Sequence, residues 1–324
     1  MPLAIRIDRH GGPEVLQAVD VEVPAPGHGE VSLRHTAIGL NFIDTYQRSG
    51  LYPVALPSGL GQEAAGVVTA VGSGVEQLRI GDRVAYAGGA PGAYSEQRTL
   101  PAAQLVKLHD TVADEDAAAL MLKGMTAYYL LHLSFAVQRG HTLLVQAAAG
   151  GVGSVLVPWA KHLGATVIGT AGGAAKCALA KAKGCDHVID YRNEDFAARV
   201  RELTDGAGVD VVYDSVGKDS WEGSLNCLKR RGMMVSYGNA SGAVPPFAPI
   251  VLSAKGSLFL TRPKLGDYIA TREELEHVSG ALFDALAWGI IKADVRQRYA
   301  LKDAAQAHRD LESRKTSGAS VLIP

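Results

Sequence analysis

From His141 to Asn239 short apolar runs alternate with segments of helical period, and no other feature of the chain limits its fold so tightly. TLLVQAA, ATVIGTA, HVIDY, VDVVYDSVG and MMVSYGN are the apolar runs; VLVPWAKHLG, AKCALAKAKG, FAARVRELTDG and SWEGSLNCLKRRG lie between or beside them. A strand covered on both faces has no polar side to alternate with, so it reads as an unbroken apolar run. Such strands separated by amphipathic helices predict a parallel sheet with helices on both faces, the doubly wound α/β pattern.

The residues ahead of this block differ. VSLRHTAIGL, AAGVVTAVG and DRVAYAG are short β-type runs divided by turn clusters such as Pro24–Gly27 and Val71–Gly74. That spacing predicts a compact, mostly antiparallel β domain. After Pro263 the chain turns helical around REELEHVSGALFDALAWGIIK, and its closing SVLIP predicts a strand that returns to the first domain. A length of 324 residues suits two domains. We expect residues 1–124 and 267–324 to form the β-rich domain and residues 125–266 the parallel-sheet domain.

Charge narrows the function classes. Lys and Arg total 32 against 33 for Asp and Glu, so no net basic field exists to hold nucleic acid. No apolar run approaches the ~18 residues of a membrane span, and MPLAIRIDRHGG lacks a signal-peptide core. Cys177, Cys185 and Cys227 have no C-x-x-C spacing, which fits a reducing compartment and packing roles rather than disulfides or zinc. A cytoplasmic protein is expected.

The most specific local signal is AAAGGVG, Ala147 to Gly153, placed between the strand LLVQ and the helix GSVLVPWAKHLG. It matches G-x-G-x-x-G with Ala148 at the first glycine. A helix N-terminus offers unpaired N–H groups and partial positive charge to a diphosphate. Ala149, Gly150, Gly151 and Val152 form the turn that would cradle it, Gly150 allowing close backbone approach and Gly153 close packing of the helix. An NAD site places a carboxylate about twenty residues on, at the end of the second strand. Here that strand ends in Gly172-Gly173 without one, and Lys176 follows on the next helical turn. Lys176 is either a solvated helix lysine or the partner of a 2′-phosphate; its position favours the phosphate, and so NADPH. Tyr191, after the third strand, suits either adenine-side contact or half-buried packing equally.

At this point the motifs identify a family. HGGPEVL, IGLNFIDTYQRSGLYP, GLGQEAAGVV, AAAGGVG, VVYDSVG, GNASG and LTRP resemble, over nearly the whole chain, the zinc-independent quinone oxidoreductases of the medium-chain dehydrogenase/reductase superfamily. The resemblance implies a GroES-like catalytic domain built from both chain ends around a Rossmann NADP(H)-binding domain. It implies Asn41, Tyr46 and Tyr52 around the nicotinamide and substrate cleft, and Lys176 and Tyr191 at the adenosine phosphate. It adds Ser215, Asn239, Ser241, Thr261, Arg262 and Arg314 as cofactor contacts. A homodimer joined through the edge strand of the cofactor sheet is implied as well, with SLFLTRP as that edge.

Zinc-dependent relatives place a Cys near Asn41 and a His within G-H-E, where this chain reads Gly61-Gln62-Glu63. A catalytic zinc needs three Cys, His or carboxylate ligands, and Glu63 alone remains, so no metal is expected. Without a Lewis acid an electron-poor acceptor is favoured: a quinone or conjugated carbonyl beside Tyr46 and Tyr52, with Asn41 orienting the carboxamide or the acceptor oxygen. Rival expectations are an NADPH-dependent enone or alkenal reductase and a non-catalytic NADPH-binding, crystallin-like or RNA-binding protein. One- and two-electron reduction both stay open, and no G-x-S-x-G elbow supports a hydrolase.

Overall fold

A computed structural model describes residues 1–324, and the chain divides into two compact units. The first comprises residues 1–125, 269–280 and 293–324; the second comprises 126–268 and 281–292. Residues 281–292 thus depart from the expected boundaries, because one amphipathic helix, Arg272–Ala287, runs from one unit into the other. No helix is long and apolar enough to cross a membrane.

The first unit is built on the strand Glu30–Leu40. It pairs antiparallel with Glu63–Val71 on one side and with Ala319–Ile323 on the other, so the expected final strand does return to this unit. Val295–Ala300, Arg83–Ala87 and Val106–Lys107 extend the sheet, and Gln97–Pro101 pairs with the early part of Glu30–Leu40. Leu33, Ile38, Leu60, Val68, Tyr86 and Tyr94 are sealed in its core. Gly39 is required by contact: a Cβ there would sit 2.2 Å from Glu63 Oε1 and 2.3 Å from the Ala118 carbonyl.

In the second unit six parallel strands run in the order His187–Asp190, Thr166–Ala171, Thr142–Val145, Val209–Asp214, Leu228–Ser236, Phe259–Thr261. Starting from Thr142–Val145, the strands are met in the spatial order 3-2-1-4-5-6, the Rossmann arrangement. Leu143, Leu144 and Val145 are wholly buried, as a central strand under two helical layers must be. One helix is shorter than expected. Trp221–Cys227 stops where Leu228 enters the sheet opposite Val209, so Lys229–Arg231 lie on a bulged strand instead of a helix.

Candidate functional site

The candidate residues fall into two groups, one in each unit. In the second unit the turn Gln146–Val152 leaves the end of Thr142–Val145 at the point where the strand order reverses, the place where open α/β sheets bind ligands. Ala147 takes a left-handed conformation (φ 54°), and Gly150 and Ser154 donate to the Ala147 and Gly150 carbonyls at 2.8 Å each. The N–H groups of Gly151 and Val152 find no partner within the turn. A Cβ on Gly153 would lie 2.6 Å from the Ala147 carbonyl and 2.7 Å from that of Ala148, so the helix can start here only with glycine. Free N–H groups at a helix start fit a diphosphate.

A buried network holds this turn, and the sequence alone gave no sign of it. Thr170 Oγ1 donates to Gln146 Oε1 (2.6 Å), and Gln146 Nε2 donates to Ser224 Oγ (3.0 Å). Ser224 Oγ in turn donates to Asp214 Oδ2 (2.7 Å). Asp214 also accepts from Ser220 Oγ and from the N–H groups of Val216 and Gly217. The carboxyl ends of three neighbouring strands are thereby tied together.

The glycine pair after the second strand is lined by more than expected. A Cβ on Gly172 would stand 2.5 Å from Tyr191 Oη and 3.1 Å from Arg192 Nε, and one on Gly173 3.2 Å from Arg192 Nη1. A phenol and a guanidinium therefore lie against the turn that opens the helix Ala174–Ala182, which carries half-buried Lys176. Arg192 was missed; its signal was adjacency to Tyr191 at the strand end. Asp190 brings a carboxylate to the same turn from the third strand. It accepts from the N–H groups of Gly173 (2.9 Å) and Arg192 (3.1 Å) and from Asn193 Nδ2 (3.0 Å). The Gly173 N–H foremost holds that carboxyl below its usual range. Asp190 braces the turn.

Ser215, Asn239 and Ser241 come together on two facing loops. Ala240 N donates to the Ser215 carbonyl (3.1 Å), Ser241 N donates to the Val216 carbonyl (2.8 Å), and Ser241 Oγ accepts from Asp219 N (3.0 Å). Thr261 ends the outermost strand opposite Val235, and Arg262 follows it, exposed. Burial pushes the Cys185 and Cys227 thiols up to about 12, as suits packing residues and not nucleophiles.

The first unit holds Asn41, Tyr46, Tyr52 and Arg314. Asn41 caps the helix Phe42–Ser49, which carries Tyr46; the Tyr46 and Tyr52 rings meet edge to face at 5.1 Å. Arg314 follows the helix Ala304–Glu312 in a left-handed turn and is exposed. Behind Asn41 lies a polar core that sequence reasoning did not find. Glu63, fully buried, accepts from Asn41 Nδ2 and from Lys123 Nζ at 2.8 Å each through Oε1, and from Leu122 N at 2.6 Å through Oε2. Asp44 Oδ2 accepts from Asn41 N and Tyr94 Oη at 2.8 Å each. Tyr94 Oη meets His308 Nε2 (3.1 Å), and Arg48 Nη1 donates to His308 Nδ1 (3.0 Å). Tyr94 gives its one proton to Asp44, so His308 must donate from Nε2 and accept at Nδ1. Burial foremost raises Asp44 to about 7 and lowers His308 to about 3. No group of three or more His, Cys, Asp or Glu side chains is arranged to hold a metal.

Sheet order, glycine turn and cationic strand end define the second unit as a Rossmann dinucleotide-binding unit. Residues 27–110 match the family described as alcohol dehydrogenase GroES-like domain, and residues 151–277 match zinc-binding dehydrogenase. The chain is 54% identical to a quinone oxidoreductase of Salmonella typhimurium, with all of both chains covered. It is 46% identical to a 2-haloacrylate reductase of Burkholderia, covering 100% of this chain and 99% of that one. The crystal structure of Escherichia coli quinone oxidoreductase complexed with NADPH superposes with a TM-score of 0.98 at 53% identity, covering 99% of this chain and 100% of that one. The chain belongs to the quinone oxidoreductase family of the medium-chain dehydrogenase/reductase superfamily.

Proposed function

We propose that this protein is an NADPH-dependent quinone oxidoreductase that works without a metal. The observation that carries this reading is the buried Asn41–Glu63–Lys123 arrangement. Where zinc-dependent relatives have a cysteine and a histidine, this chain has amide side chains, and its one carboxylate is neutralised internally by Lys123. Such a site does not polarise a simple alcohol or ketone strongly. It suits an acceptor whose reduction is already favourable, and quinones meet that condition because reduction makes the ring aromatic.

When bound, NADPH supplies a hydride. The residues of the chain bind and orient. Ala149–Val152 offer N–H groups to the diphosphate, and Gly172 and Gly173 let Tyr191 and Arg192 stand against the turn on the ribose side. Lys176, Tyr191 and Arg192 suit the 2′-phosphate, while Ser215, Asn239, Ser241, Thr261, Arg262 and Arg314 complete the cofactor contacts. Asn41 orients the carboxamide or the acceptor oxygen, and the edge-to-face Tyr46–Tyr52 pair offers aromatic surface for a ring to pack against. Residues 1–124 and 267–324, less the 281–292 segment, serve as the catalytic domain, and the parallel-sheet unit serves as the cofactor domain.

The relative named 2-haloacrylate reductase favours one second reading, reduction of an activated alkene, with Tyr46 or Tyr52 as proton donor. NADPH oxidation measured against 1,4-naphthoquinone and a 2-alkenal separates the two. Rapid turnover of the quinone is expected, with spin resonance deciding whether the product is a radical. Turnover of the alkenal alone would replace the first reading by the second.

Assembly and location belong to the same proposal. The outermost strand Phe259–Thr261 pairs on one side only, and Phe259 and Ile250 near it are exposed, which suits a homodimer formed edge to edge. Sedimentation should find a dimer. Three free cysteines suit the cytoplasm.

A further inference from the structure

Asn41 is tied on both faces of its side-chain amide. Nδ2 donates to Glu63 Oε1, and the side-chain oxygen faces the Asp44 N–H in a capping box at the start of the helix that carries Tyr46. This orientation depends on Glu63 being a carboxylate, because a carboxylate only accepts. Its other oxygen, Oε2, is engaged by the Leu122 N–H. A proton arriving on Glu63 would therefore settle on Oε1, the oxygen that faces Asn41. That oxygen would become a donor, and the Asn41 amide could satisfy it only by turning over. Nδ2 would then take the place of the side-chain oxygen in the capping box, leaving the Asp44 N–H only the Asn41 backbone carbonyl, to which it donates at 3.1 Å. Glu63 is fully buried, and Lys123, itself 5% exposed, is the cation set against it.

We propose that Lys123 is a positioning residue: its ammonium keeps Glu63 an accept-only carboxylate, and that carboxylate fixes which way the Asn41 amide faces. The inference rests on the functional reading above in that Asn41 orients the carboxamide or acceptor. The charged and titratable groups facing Glu63 are Lys123 from the helix Asp114–Tyr128, Asp44 from the helix Phe42–Ser49, and Tyr94 from the segment ahead of Gln97–Pro101. An isolated buried carboxylate neutralises itself by taking up a proton. Loss of the Lys123 charge thus becomes loss of the Asn41 orientation, in a form that alkali reverses.

The test is Lys123→Met, with NADPH affinity by fluorescence titration as the check on folding. At pH 7 kcat with a quinone should fall about a hundredfold, the scale of a misplaced orienting group. KM should change little, and kcat should climb again with rising pH along a limb absent from the wild type. Glu63→Gln, which presents an amide whatever the pH, should show the loss without the limb. Infrared difference spectra between Lys123→Met and wild type should show a protonated-carboxyl band that Glu63→Gln in the same background abolishes. The Lys123 charge also helps hold the Asp44 carboxyl down, so the limb and the band are assigned to Glu63 only where Glu63→Gln in the Lys123→Met background removes them; a limb and a band that survive there belong to Asp44 and overturn the proposal. If Lys123→Met does not fold, Lys123→Gln, which keeps a hydrogen bond and removes the charge, makes the same test. A uniform loss at every pH with no carboxyl band, or no loss at all, overturns the proposal. The infrared band needs no turnover, so a wild type inert towards all quinones and enones would break the functional reading without deciding this one.

Discussion

Both units bury a polar network behind their candidate residues, and the two networks are made of different material. In the parallel-sheet unit, Thr170, Gln146, Ser224 and Ser220 are neutral and converge on one carboxylate, Asp214, which accepts from hydroxyls and backbone N–H groups alike. In the β-rich unit, Lys123, Glu63, Asp44, His308, Arg48 and Glu312 form a series of charged or titratable groups. The difference shows how each site is specified. A diphosphate turn is set by backbone geometry, which hydroxyl, amide and N–H groups hold around a single carboxylate. A side-chain amide or a ring is set by charges around it, and so inherits their response to pH.

Asp214→Ala should have the largest effect and would sharpen the contrast. Three buried donors and one half-buried N–H lose their acceptor, which costs about 3 kcal/mol or more, read as a lower urea midpoint of equal size at pH 6 and pH 8. A strongly pH-dependent loss would break the distinction between the networks. Next, Lys176→Glu should lower kcat/KM about a hundredfold with NADPH, since a charged hydrogen bond is worth about 1.5–3 kcal/mol, and far less with NADH. Equal losses would remove the lysine from the 2′-phosphate.

Gly153→Ala should weaken NADPH binding through a displaced turn, at an overpacking cost of about 1–3 kcal/mol, with the quinone KM unaffected. Asp44→Asn should act least at neutral pH and reveal itself in the pH profile. The Asp44 pKa is raised from 3.8 to about 7, so the folded state binds more protons than the unfolded chain across that window. Its contribution to stability therefore falls as pH rises from about 4 to about 7. His35 and His308, lowered from 6.5 to about 4 and about 3, act oppositely and cost stability as pH falls below 6.5. The Asn variant should thus gain on the wild type between pH 5 and pH 8. Parallel profiles would show that Asp44 does not titrate there.

Much of this architecture could be read from the chain because it rests on local patterns. Unbroken apolar runs announced the parallel strands, and AAAGGVG announced the turn at the switch point. The networks could not be read that way. Glu63 and Lys123 are 60 positions apart, and Arg48 and Glu312 are 264 apart; nothing in either neighbourhood marks its partner. Lys229–Arg231 misled because their polarity continues the helix pattern, while a bulge against Val209 sets them in the sheet. Residues 281–292 misled because a helix passing between units carries no boundary in its sequence.

Arg48 is sunk to 3% side-chain exposure, yet its carboxylate partner Glu312 stands at 36%, in the last turn of the helix Ala304–Glu312. A clasp with one half inside and one half outside is unequal before dissolved ions: they can compete for the outer half and cannot reach the inner one. Concentrated salt should therefore loosen the segment that follows Glu312, Arg314 included, well before it disturbs the helix under Tyr46.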